Sequence, residues 1–132
     1  MYSPLKITRI MMVAYIAAIC FLCFGNFSTP GFDVPQTFFG IPADKAVHFA
    51  MYVPFVPLFY FSFSPKKRSP IVLVAGFLSA LAFGAFIELI QGMTDYRSKD
   101  ILDFVADGIG TFLGLIIAVM VVFLKKYSYE ND

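Results

Sequence analysis

Two long apolar runs, residues 70–92 and 99–124, are separated only by the short polar turn Met93–Ser98, and two further runs, 5–25 and 43–63, precede them. A run of about 20 apolar residues, rising 1.5 Å per residue as a helix, covers the ~30 Å hydrocarbon core of a bilayer. Within that core each backbone N–H and C=O needs a partner in the protein, and a helix supplies one from its own segment. The expected architecture is therefore all-α: a polytopic membrane protein whose four transmembrane helices form one antiparallel bundle, a single domain over residues 1–132. With 59% hydrophobic and 14% charged residues, the chain stands well away from the roughly 45–50% and 25% of soluble domains. Its net charge of +1 gives no footprint for nucleic acid.

Lys6 and Arg9 before the first run give it the outline of a signal peptide. Further apolar runs follow in place of a cleavage site and a soluble domain, so it reads as a retained span. Cys20 and Cys23 form a C-x-x-C spacing inside this run, where cysteine behaves as a small hydrophobe. Residues 26–41, rich in Gly, Pro, Ser and Thr, read as a loop, with Phe27, Phe32, Phe38 and Phe39 suited to the membrane interface. Pro42 is expected in the first turn of the next helix, where Asp44 suits the positive end of the dipole.

The second span carries Asp44, Lys45, His48 and Tyr52 near its start, and helical spacing puts 44, 48 and 52 on one face. Pro54 and Pro57 in its middle remove helical hydrogen bonds and predict a bend. In the third span Gly76, Ala80 and Gly84 recur every four residues and allow a second helix to approach closely. Glu88 continues that stripe and Gln91 follows. In the last span Asp100, Asp103, Asp107, Gly110 and Gly114 alternate by three and four residues and share a face. That face reads as a polar site resting on a close helix contact.

Basic residues fall at Lys6 and Arg9, at Lys66, Lys67 and Arg68, and at Lys125 and Lys126, which makes seven of the ten. The positive-inside rule then places both termini and the middle loop in the cytoplasm. Asp44, Lys45, His48, Glu88, Arg97, Asp100, Asp103 and Asp107 all come to the extracytoplasmic boundary. Ionisable groups one or two turns inside a span, such as Glu88 and Asp107, need partners, and Lys45, Arg97 and His48 are the candidates.

Asp44-Lys45-x-x-His48, then Glu88-x-x-Gln91, then Arg97-x-x-Asp100-x-x-Asp103 leading into a glycine-containing span resembles the VanZ-like membrane protein family over about residues 44–114. Asp107 stands where the family pattern usually has Asn. The resemblance implies an envelope role, and the family's namesake is associated with low-level resistance to the glycopeptide teicoplanin. It implies no reaction.

Three functional readings follow from these residues. The first is a non-enzymatic protein binding a membrane lipid or lipid-linked envelope precursor, with Lys45, Arg97 and Lys99 contacting phosphate and the acids positioning them. The second is a metal-assisted intramembrane hydrolase or transferase acting on a phosphate-containing lipid through His48, Glu88, Asp103 and Asp107. No diagnostic metal spacing such as H-E-x-x-H is present; the sequence calls for no cofactor and leaves a divalent cation open. The third is ion or proton transport, which the apolar inner halves of the spans argue against. Beside these stands a purely structural polar clasp between helices. The sequence gives no oligomeric state.

Overall fold

In the computed structural model residues 3–25, 37–95 and 100–131 are described, with side chains through residue 128. Of these residues 82% are helical. Helix α1 spans Pro4–Phe24, with Pro4 in its first turn and Ser3 as N-cap accepting the Lys6 N–H at 3.4 Å. Helix α4 spans Pro70–Gln91 and helix α5 Ile101–Asn131. By length and composition three helices can cross a membrane: Pro4–Phe24, Pro70–Gln91 and Ile101–Ser128. Their outward faces carry Ile10, Val13, Phe21, Ile71, Leu78 and Phe123, all more than half exposed, as expected where lipid tails replace water.

The stretch 43–63, expected as one bent span, is instead two short helices, α2 (Ala43–Tyr52) and α3 (Phe55–Phe61), interrupted at Val53–Pro54. The cause is in the sequence. Pro54 lacks the N–H that would reach the Ala50 carbonyl, and Pro57 lacks the one that would reach Val53. Neighbouring helices stabilise the break: Tyr15 of α1 donates its hydroxyl to the Met51 carbonyl. Tyr52 and Phe55 stack across it with centroids 6.2 Å apart, and Phe83 of α4 lies 6.0 Å from Phe55.

Ahead of α2, the expected loop ends in a small antiparallel hairpin, β1 (Thr37–Phe38) paired with β2 (Ile41–Pro42). Pro42 belongs to β2 and precedes the helix, a correction to its expected place in the first turn. Phe39 and Gly40 form the tip with φ of 51° and 79°, the signs a two-residue type I′ turn needs. A fully exposed phenylalanine in that conformation is strained by roughly 1–2 kcal/mol. Phe39→Asn is expected to raise hairpin stability by up to about 1 kcal/mol, since Asn tolerates this region. Thermal melting in detergent checks it.

Helix α5 packs against α2, α3 and α4, while α1 packs against α3 and α4. Gly76, Ala80 and Gly84 are all buried on one stripe of α4, with Glu88 following. Gly76 faces the Phe59 ring. On α5, Gly110 and Gly114 are buried, and a Cβ at either would collide with a backbone carbonyl, Phe49 or Val53 respectively. Glycine lets these backbones touch, and the Val53 carbonyl is one that Pro57 leaves without its helical donor.

At one end of the molecule Arg9 donates to the Ser62 carbonyl at 3.0 Å and Thr8 to that of Phe61 at 3.1 Å. There Arg68 donates to the Phe61 carbonyl, also at 3.1 Å, and Lys125 lies 4.8 Å from the Phe61 ring centroid. At the other end Gln91 donates its amide to the Cys23 carbonyl at 2.9 Å, joining the C-terminal ends of α4 and α1. Cys23 is buried in the apolar core and neither cysteine forms a disulfide.

Candidate functional site

The polar residues of α2, α4 and α5 collect at the end that holds Gln91. Asp44 and Lys45 sit on the first turn of α2, with His48 one turn on and Tyr52 another. Glu88 ends the small-residue stripe of α4, and Asp103 and Asp107 lie on the glycine face of α5. His48, Tyr52, Glu88, Gln91, Asp103 and Asp107 are all buried. Asp100 precedes α5 and caps it: its Oδ1 accepts the Leu102 N–H at 2.9 Å. Its own N–H donates to Glu88 Oε2 at 3.2 Å, tying the end of α4 to the start of α5.

Lys45 lies among three carboxylates, donating from Nζ to Asp44 Oδ2 at 2.7 Å, Asp100 Oδ2 at 2.5 Å and Asp103 Oδ1 at 2.6 Å. The hydrogen bond from Lys45 holds the Asp100 carboxyl below the usual carboxylate range. An ammonium has three donors, and here each reaches an acid. Lys45 thus has an acid within the protein for each of its donors.

His48 is one of the candidate partners for both Glu88 and Asp107. Its Nδ1 lies 2.9 Å from Asp107 Oδ1, and its Nε2 3.7 Å from Asp103 Oδ2. Asp107, the residue at which the sequence departs from the family pattern, is therefore the direct partner of the histidine. Its other oxygen, Oδ2, has no hydrogen-bond partner among the described residues, and neither have Glu88 Oε1 and the Tyr52 hydroxyl. Gly84 makes room for two of these groups, since a methyl there would sit 3.1 Å from Asp107 Oδ2 and 3.4 Å from the Tyr52 oxygen.

Two sets of potential cation ligands follow from this layout, Asp44 with Asp100 and Asp103, and His48 with Glu88 and Asp107. Lys45 lies at hydrogen-bond distance from all three acids of the first. Arg97 and Lys99 lie outside the described residues. Two groups, the half-buried Tyr15 and the buried Thr111, were not anticipated. Tyr15 reaches the interrupted helix from α1, and Thr111 turns its hydroxyl back onto the Asp107 carbonyl at 2.7 Å. The i, i+4 spacing of Thr111 from Asp107 is the signal that could have found it.

Long apolar helices with outward hydrophobic faces, enclosing a cluster of acids and a histidine at one end, define an integral membrane protein with a polar site between its helices. The chain belongs to the VanZ/LLP1 family, whose profile matches residues 11–124 and so includes every residue of that cluster. No curated protein and no solved structure matches the chain.

Proposed function

We propose that this is a four-span protein of the bacterial cytoplasmic membrane, with α2 and α3 together making one crossing, that binds the polar head group of a membrane lipid or lipid-linked envelope precursor. The convergence of His48, Glu88, Asp103 and Asp107 from three helices at one end carries the reading. The Phe39 hairpin that leads into α2 gives that end an exposed apolar tip. With Lys45 committed to acids, the carboxylates act as acceptors for hydroxyl and amide donors of the head group, and contact to phosphate falls to Arg97 and Lys99. Both termini lie in the cytoplasm in this reading, supported by the grouping of Arg9, Arg68 and Lys125 around Phe61 at the opposite end. An outward site engaging cell-envelope precursors is also what a contribution to teicoplanin resistance would require.

Purified protein is expected to bind a labelled lipid-linked precursor saturably and return it unchanged. Turnover would move the assignment to the hydrolase or transferase reading, and absence of binding would overturn it. In topology mapping, reporters fused within Ser64–Ser69 are expected to report the cytoplasm; an extracytoplasmic signal there would reverse the orientation. Glu88→Gln separates binding from a purely structural clasp: binding is expected to fall more than thermal stability, and equal losses would favour the clasp.

A further inference from the structure

His48, Glu88 and Asp107 each offer a ligand atom, and these atoms lie within 4.8 Å of one another although they come from three different helices. All three side chains are at least nine-tenths buried. In a neutral imidazole one ring nitrogen always retains a lone pair, while Glu88 Oε1 and Asp107 Oδ2 are both buried and unpartnered among the described residues. The Tyr52 hydroxyl, from a residue outside the triad, is likewise buried and unpartnered. Carboxylate oxygens in a low-dielectric interior cost several kcal/mol when left uncompensated. Lys45 does not supply that compensation, because Asp44, Asp100 and Asp103 already hold it.

We propose that His48, Glu88 and Asp107 form a binding site for a divalent transition-metal cation of the Mn²⁺ or Zn²⁺ type. The donor set decides the class. One imidazole with two carboxylates suits a borderline cation, whereas Mg²⁺ and Ca²⁺ favour all-oxygen surroundings. Two carboxylate charges match the double charge of the ion, and the site lies beside the Lys45 cluster without sharing an acid with it. Binding requires no lipid, so it stands or falls separately from head-group recognition.

The test is a titration of chelator-stripped full-length protein in detergent with MnCl₂ alone, read by loss of the free Mn²⁺ electron paramagnetic resonance signal, with ZnCl₂ and MgCl₂ as competitors. One saturable site per chain is expected, displaced by Zn²⁺ far more readily than by Mg²⁺. Glu88→Gln and Asp107→Asn are each expected to weaken it on the order of 10-fold or more, with Asp44→Asn close to wild type. No saturable Mn²⁺ binding by the wild-type chain would overturn the proposal, whether or not the variants fold. So would retention in both Glu88→Gln and Asp107→Asn, or loss in Asp44→Asn, which would place the ion among the acids around Lys45. Precursor binding that persists in chelator while Mn²⁺ fails to bind would leave the head-group reading intact and remove the cation.

Discussion

Alanine at Gly110 is expected to destabilise this protein severely. The added Cβ would meet the Phe49 carbonyl oxygen and carbon, which are backbone atoms with no rotamer to move aside. Ordinary overpacking costs about 1–3 kcal/mol because side chains yield; here α2 and α5 must separate, and the loss is expected to exceed that range. Gly114→Ala should behave alike against Val53, whereas Gly108→Ala meets only Leu81 Cδ2 at 3.7 Å. At Gly108 the change should be neutral or gain up to ~1 kcal/mol from helix propensity. Cys23, 1% exposed in the core, provides the readout: a thiol-reactive dye should label it at a much lower temperature in Gly110→Ala than in wild type or Gly108→Ala.

The second large effect is expected at Lys45→Met, and its size depends on pH. In the wild type, the hydrogen bond from Lys45 keeps Asp100 below its ordinary value. Its contribution to stability is therefore complete above the unfolded carboxylate pKa of about 3.9 and is lost as pH falls through the depressed folded value. Removal of the ammonium leaves Asp44, Asp100 and Asp103 with ligand oxygens within 4.8 Å of one another and their shared cation gone. The cost near neutral pH should stay well below the ~3–5 kcal/mol of a fully buried pair, because much of this cluster meets solvent. Acid then relieves the repulsion by protonating a carboxylate. Melting curves from pH 7 to about 5 should show Lys45→Met gaining stability relative to wild type; parallel curves would rule out the account.

Periodicity made the faces of α4 and α5 legible, because Gly76, Ala80, Gly84 and Glu88, and likewise Asp103, Asp107, Gly110 and Gly114, mark one side of a helix irrespective of what lies opposite. Partner choice was not legible. Whether His48 meets Glu88 or Asp107 depends on the rotation and depth of three helices, and no spacing within one helix records that. The same holds for Lys45, whose acids come from positions 44, 100 and 103. Pro54 and Pro57 announced a disturbance in the second span, but bend and break differ by whether neighbours such as Tyr15 donate to carbonyls at the interruption. Two-residue strands carry too little pattern to be seen, so the hairpin at 37–42 read as loop.

The two carbonyl seats on α5 fix more than the distance between helices. Phe49 and Val53 are four residues apart on one segment, and Gly110 and Gly114 one turn apart on the other, so α5 is indexed against the α2–α3 segment like a key with two notches. Sliding by one residue would bring Ile109 and Leu113, or Thr111 and Leu115, onto the carbonyls in their place. Axial ratcheting and rolling of α5 are therefore blocked. For the proposed ligand at the His48–Asp107 end, this leaves side-chain rotation or movement of other elements as the routes of exchange, with the last helix as the fixed frame.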